Sequence, residues 1–333
     1  MMKMNKYKVL ILTDHEGHTQ ENSLYELASK LQMHEKTYSV DIVSRAVPKN
    51  DGFFKKKLDS QIFGTSVHSD FAFSRTRHPL DVGFKSVDES QYNLIWLRLP
   101  PPLDKAFLDY LSLRFHKQVI INSPHGIHHT GTKEFLLNFQ AVCPPLKICK
   151  HLDDIVEFKK EFPIVLKPFR AYGGTGIVRI ENETVWSGNR KISFSEFQNQ
   201  YDGTEYLGVK FLKNVDKGDK RIVVVNGIIL GASLRLPAKD SWICNVAMGG
   251  SSNKTDITKE EYAIIEGINP RLKKMGIVMY GVDTLVNDDG KRVLSELNTT
   301  SIGGLPQIAA MNQELLVEKA IDLIWDYYEE QLS

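Results

Sequence analysis

Asp283, Glu296 and Asn298 present oxygen atoms at a spacing suited to metal chemistry. They flank Asn287-Asp288-Asp289-Gly290, a turn-forming stretch between two apolar runs, which is the pattern of a β-hairpin. A two-residue loop at Asp289-Gly290 sets Asp283 directly opposite Glu296. Side chains alternate faces along a strand, so Asn298 shares the face of Glu296. Two carboxylates and one amide oxygen then gather on one side of a ribbon. Such donors suit Mg²⁺, which is held by one or two carboxylates plus substrate phosphates. The spacing predicts a metal–nucleotide site.

A second segment, Lys167-Pro168-Phe169-Arg170-Ala171-Tyr172-Gly173-Gly174-Thr175-Gly176, is glycine-rich at its end. Glycine permits positive φ and close backbone approach, and successive N–H groups can cradle phosphate. Lys167 ends the incoming strand, where its ammonium meets α- or β-phosphate. The plain alternative is a flexible hairpin with a surface lysine. The segment is neither a Walker A loop nor a dinucleotide fingerprint, because strand–loop–strand is the reading and no Gly-Lys-Ser/Thr follows. Gly218-Asp219-Lys220-Arg221 precedes an apolar run. Arg221 is suited to charge on a transferring phosphoryl group, against the alternative of a solvated turn. Arg235, set among apolar residues, either snorkels or binds an anion. Asn245 opens Asn245-Val246-Ala247-Met248-Gly249-Gly250, another place for backbone to approach a ligand. His125, His128 and His129 cluster without a carboxylate or cysteine partner, which favours polar loop or helix-start residues over zinc.

Elements that hold these residues follow from periodicity. Residues 7–13, 40–44, 93–97 and 119–122 read as strands, with helices over 22–31 and 103–115 between them. That alternation implies a parallel α/β layer. Residues 48–87 read as an irregular excursion. After about Pro124 come helices over 133–139 and 153–161 and strands over 164–167 and 177–180. Strands over 221–225 and 228–233 flank Asn226-Gly227, a second hairpin signal. Helices over 259–275 and 313–330 complete the chain.

At 333 residues, 42% apolar and 25% charged, the chain can fill two or three lobes of a globular protein. A formal charge of +1 gives no whole-chain case for nucleic acid. Cys143, Cys149 and Cys244 show no C-x-x-C spacing, which argues against a disulfide framework and fits a reducing cytoplasm. The apolar run Val9-Leu10-Ile11-Leu12 is too short to span a membrane and lacks a cleavage pattern. One glycine in Thr13-Asp14-His15-Glu16-Gly17 gives poor support to an NAD(P) enzyme.

Taken in order, these segments resemble the ATP-grasp ligases, and within them prokaryotic glutathione synthetase, from about Asn93 onward. Arg98-Leu99-Pro100-Pro101-Pro102-Leu103-Asp104 is similar to an Arg-x-x-Pro-Pro segment of the family, and Asn245 to Gly250 to its Asn-Leu-Ala-Ala-Gly-Gly. The resemblance implies an α/β N-terminal domain (1–124), then an α+β ATP-grasp fold with a small lobe (125–207) and a larger C-terminal lobe (208–333). It implies ATP and Mg²⁺ as cofactors, with Mn²⁺ as an alternative ion. Lys133, Lys167, Gly173, Gly174 and Thr175 would serve the nucleotide's phosphates, and Val209, Lys210, Phe211 and Leu212 its adenine. Asp219, Asn245, Gly249 and Gly250 complete the nucleotide set. Asp283, Glu296 and Asn298 would hold the metal, and Arg221 and Arg235 would do the catalytic work. The implied reaction joins γ-glutamylcysteine to glycine through an acyl phosphate. Alternatives are another amino acid or peptide pair, or a nucleotide-binding scaffold without turnover. Partners are small-molecule carboxylate and amine substrates, with no nucleic acid and no membrane. A homo-oligomer is the family expectation. The chain departs from the family at Ile243 and Ser251, where arginines are common, and at Val209, where a polar residue is frequent.

Overall fold

A computed structural model describes residues 6–169, 175–188, 190–237 and 251–333. Its first sheet is built from β1 (Tyr7–Thr13), β2 (Thr37–Ser44), β3 (Ile62–Ser66), β4 (Lys85–Val87), β5 (Leu94–Arg98) and β6 (Val119–Ile121). Helices α1 (Leu24–Met33), α2 (Asp51–Phe54) and α3 (Lys105–Arg114) connect them. The order is β4-β3-β2-β1-β5-β6, and β2, β1, β5 and β6 run parallel. Leu10, Ile11 and Leu12 are fully buried, as a continuous apolar run in a two-sided parallel layer requires. Residues 48–87 are more ordered than expected. β3 and β4 extend the sheet antiparallel beyond β2. Their short runs, Ile62–Ser66 and Lys85–Val87, carry too few alternating positions to read as strands.

Next come α4 (Pro124–Thr130), a 3₁₀ helix over Lys133–Val142, β7 (Leu146–Cys149), α5 (Leu152–Phe158) and β8 (Ile164–Pro168). β9 (Val178–Glu181), β10 (Thr184–Ser187), β11 (Arg190–Ser193), α6 (Phe194–Gln200) and β12 (Tyr206–Lys210) follow. The second sheet is antiparallel, ordered β11-β10-β9-β8-β12-β7. The division expected at 207/208 falls inside β12, all of which pairs with β8. We propose a boundary at the exit of that strand, which keeps the sheet whole.

The third sheet holds β13 (Asp219–Val225), β14 (Ile228–Leu236) and β15 (Ser251–Lys254). After α7 (Lys259–Lys274) it takes up β16 (Met279–Val286) and β17 (Arg292–Asn298). The order is β15-β14-β13-β16-β17, antiparallel throughout. Ile222, Val224, Tyr280, Val282 and Leu294 pack with Ile264, Ile265, Ile268 and Leu272 of α7 in one core. Thr258 and Glu261 form a capping box that starts this helix. α8 (Leu305–Asn312) and α9 (Leu316–Glu330) share another core with Val223, Val225 and residues of β1, β2 and α1. The closing helix thus binds the first sheet to the third. Among the described residues no helix is long and apolar enough to cross a membrane.

Candidate active site

The alternation that turns Ile222 and Val224 toward α7 turns Asp219 and Arg221 to the other face of the third sheet. Register then assembles one row across five strands. Lys254 pairs with Ser233, Ser233 with Arg221, Arg221 with Asp283, and Asp283 with Glu296. A parallel row sets Ser252 beside Arg235 and Arg235 beside Asp219. Asn298 is two pairs further along, opposite Gly281 and therefore on the same face. The sequence-predicted metal oxygens therefore do share a face.

The hairpin reaches this pairing by a route the sequence reading missed. Its loop is three residues, not two: Gly290 N–H donates to Asn287 O at 3.0 Å, and Asn287 N–H to Lys291 O at 2.8 Å. Gly290 has φ +82°, the left-handed residue that closes a type I turn in such a loop. The longer loop shifts register by one. A bulge between Asp283 and Thr284 on the register, with Ser295 as the extra residue, restores it. Asp283 meets Glu296 because the two irregularities cancel.

Charges on this face are tightly paired. Arg221 grips both carboxylate oxygens of Asp283, with Nη2 at 2.8 Å from Oδ2. Arg235 forks onto Asp219 at 2.7 and 2.6 Å and reaches Asp283 Oδ2 at 3.0 Å. Asn298 Nδ2 donates to the same oxygen at 3.1 Å. Burial acts to raise the Asp283 carboxyl pKa, but the guanidiniums of Arg221 and Arg235 outweigh it and hold the group well below the usual range. Asp219 is pushed up, first by burial and then by the neighbouring Asp283 charge. Gly281 gives Arg221 its room, since a Cβ there would lie 3.0 Å from Arg221 Cδ.

Two lysines approach from the opposite side. Lys133 Nζ lies 3.7 Å from Glu296 Oε1, and its backbone N–H donates to Phe169 O at the exit of β8. Lys167, on β8, has its pKa lowered by burial, opposed by Glu296 and reinforced by Lys133. The stretch Val209–Leu212 leaves β12 beside the hairpin tip, where Lys210 Nζ meets Asp288 Oδ2 at 2.8 Å. N–H groups of Lys210 and Phe211 donate to the carbonyls of Pro145 and Pro163. Thr175 is exposed. Gly173, Gly174, Asn245, Gly249 and Gly250 lie outside the described residues, as does Ile243.

Sequence reasoning missed what lies behind the site. Lys220, one residue from Arg221, points the other way and binds Glu261 Oε2 at 2.7 Å in a buried pair, with Thr284 on Oε1. Arg98 is buried and donates to Ser23 Oγ and Ile302 O at 2.8 and 2.7 Å. Asn122 accepts from Val278 and Met279 N–H and donates to Met279 and Thr299 carbonyls. The partners of Arg98 and Asn122 are 75 to 204 residues away in sequence, beyond any local signal. The histidines of α4 meet edge to face, with His125 and His129 centroids 4.4 Å apart.

A sheet face of paired carboxylates and guanidiniums, with Lys133 and Lys167 close to Glu296, gathers cations and oxygen donors in one place. The profile of the family described as prokaryotic glutathione synthetase, ATP-grasp domain, matches residues 132–313, more than half of the chain. The chain belongs to the prokaryotic glutathione synthetase family. It is an ATP-dependent ligase. The glutathione synthetase of Rhodopseudomonas palustris is 30% identical over 73% of this chain and 75% of its own length. That of Bradyrhizobium diazoefficiens is 29% identical over 72% and 74%. Among solved structures, D-cycloserine synthetase shares the fold, with a TM-score of 0.62 at 12% identity, covering 94% of this chain and 99% of that one.

Proposed function

We propose that this ligase joins γ-glutamylcysteine to glycine, with ATP converted to ADP and phosphate. The observation that carries the reading is the Asp283–Glu296–Asn298 face clamped by Arg221 and Arg235 and faced by Lys133 and Lys167. Its donors are oxygens alone, and the cations around them outnumber what two carboxylates need. That fits Mg²⁺ arriving with a polyphosphate rather than a bare ion. Asp283, Glu296 and Asn298 would hold it, and bound Mg²⁺ would neutralise charge on the β- and γ-phosphates.

Lys133 and Lys167 would take the phosphate chain, and the Lys210 and Phe211 N–H groups being occupied, adenine would rest on the other backbone groups of Val209–Leu212. The donor carboxylate attacks the γ-phosphate, ADP departs, and an acyl phosphate results. Arg221, with its planar fork, would lie against the transferring phosphoryl group, and Arg235 against the oxyanion or a substrate carboxylate. The acceptor amine then attacks the acyl carbon and phosphate leaves. Positioning and charge neutralisation suffice, with no covalent protein nucleophile. The glycines at 173, 174, 249 and 250, with Asn245, are assigned to the nucleotide by resemblance. A homo-oligomer in the cytoplasm is the accompanying expectation, checked by light scattering and fractionation.

The deciding experiment is Glu296→Gln, assayed for ADP release with ATP, Mg²⁺, γ-glutamylcysteine and glycine. A fall of about 100-fold or more is expected. Unchanged turnover would overturn the metal assignment. Wild-type turnover with another amine but not glycine would overturn glutathione synthesis and leave the ligase.

A further inference from the structure

Among the described residues each carboxylate of the site face is held by a cation. Asp283 is held by Arg221 and Arg235, Asp219 by Arg235, and Glu296 lies beside Lys133. The row that runs Glu296, Asp283, Arg221, Ser233 ends at Lys254 on the edge strand β15. Register places Lys254 on the same side of the sheet as those residues, because directly paired residues share a face. Ser252, paired with Arg235, shares it too. Lys254 is exposed, and no carboxylate among the described residues pairs with it. Neighbouring strands lie about 4.8 Å apart, so Lys254 stands about 10 Å from Arg221 along the row. Its flexible four-carbon stem closes part of that gap.

This geometry has a use in the reaction proposed above, on which the inference rests. The amide bond forms where the acyl group is held, over Arg221 and Asp283. The attacking nitrogen must come to about 3–3.5 Å of the acyl carbon. An amino-acid acceptor carries a carboxylate one carbon beyond that nitrogen, and the anion needs a cation that is not already holding Asp219 or Asp283. Arg221 and Arg235 are both so engaged, and the donors they keep are taken by the phosphoryl group and by the oxyanion or the donor substrate's carboxylate. Ser251, the first residue of β15, brings no charge.

We infer that Lys254 binds the carboxylate of the acceptor amino acid and thereby selects an α-amino acid over a simple amine. Ser252, on the adjacent row, offers its hydroxyl to the same carboxylate. The competing account is a lysine that only blunts an edge strand against pairing with another chain.

The test compares glycine with glycinamide, which keeps the amine and lacks the carboxylate. Wild type, Lys254→Met and Lys254→Arg are assayed at saturating ATP, Mg²⁺ and γ-glutamylcysteine, with folding checked by circular dichroism. For Lys254→Met we expect KM for glycine to rise about 10- to 100-fold, as loss of a charge-assisted contact gives. KM for ATP and for γ-glutamylcysteine, and the rate with glycinamide, should stay within about twofold of wild type, and Lys254→Arg should recover most of the glycine affinity. An unchanged glycine KM overturns the inference in favour of the edge-strand account. So does a loss that falls on ATP instead, or a wild type that uses glycinamide as well as glycine. If wild type turns over no acceptor of either kind, the proposed reaction fails as well. A Lys254 failure alone, with glycine turnover intact, leaves that reaction standing.

Discussion

At Asp283 one carboxylate is shared by two guanidiniums and an amide, all from different strands. Such a clamp fixes each side chain before any ligand arrives, so little reorganisation remains for the reaction itself. Its precision depends on Gly281, whose missing Cβ lets the Arg221 stem cross the adjacent strand. Gly281→Ala would put a Cβ 3.0 Å from Arg221 Cδ and 3.3 Å from Nε. The guanidinium must give by a few tenths of an ångström, and its fork onto Asp283 opens. We predict a fall in kcat/KM of about 10- to 100-fold, with the thermal midpoint nearly unchanged. Steady-state kinetics beside a melting curve checks it, and equal activity in the variant would remove Gly281 from the site. From sequence Arg235 was readable as a charge among apolar residues, Arg221 as a cation at the end of a charged turn, and Asp283 as one oxygen donor of a hairpin face. Their partnership was not, because Arg221 and Asp283 are 62 positions apart. Asp219 and Arg235 are nearer, 16 positions apart, and their pairing comes from the β13–β14 register. The family resemblance assigns Asp219 to the nucleotide, and in the fold its carboxylate holds Arg235.

The β16–β17 hairpin illustrates what element-scale reading can and cannot supply. Apolar runs around Asp-Gly give the hairpin and the face of Glu296, because period-two alternation is local. Loop length and the bulge are not local signals. They are set by tertiary contacts: Asp288 accepts from Lys213 N–H at 2.9 Å and pairs with Lys210, while Asn214 Nδ2 donates to Asn287 O at 2.7 Å. The tip is thus moored to the chain leaving β12, next to the stretch assigned to adenine. Gly290 closes that tip with positive φ and nothing within 4 Å of where its Cβ would be. Gly290→Ala therefore tests backbone strain alone. It should destabilise the fold by about 1 kcal/mol, read from urea denaturation. Activity should be close to wild type, since the alanine meets no neighbour. A stability loss well beyond that figure would mean the loop itself has rearranged.

Across the whole molecule the first sheet and the site sheet share two apolar cores, and single polar side chains cross between them. The two layers and most of their strands were legible, since buried runs and alternation announce themselves along the chain. How the layers dock was not, because docking is written in single residues such as Asn122 whose partners lie in another sheet. Asn122 follows β6 and uses both ends of its amide. Oδ1 accepts from Val278 and Met279 N–H at 2.8 and 2.9 Å, and Nδ2 donates to Met279 and Thr299 carbonyls at 2.6 and 2.7 Å. Met279 begins the strand that carries Asp283, and Thr299 follows the strand that carries Glu296 and Asn298. One side chain therefore sets where the strands of Asp283, Glu296 and Asn298 stand relative to the first sheet. Asn122→Ala leaves those four backbone groups without their partner in a buried place, at a cost of about 2–5 kcal/mol. Because the same residue aligns β16 with the end of β17, the variant should lose activity at temperatures where it is still folded. The expected result is a lowered denaturation midpoint together with a raised KM for Mg²⁺·ATP, measured well below that midpoint. A variant that loses stability but keeps wild-type kinetics below its transition would show that Asn122 holds the sheets together without setting the site.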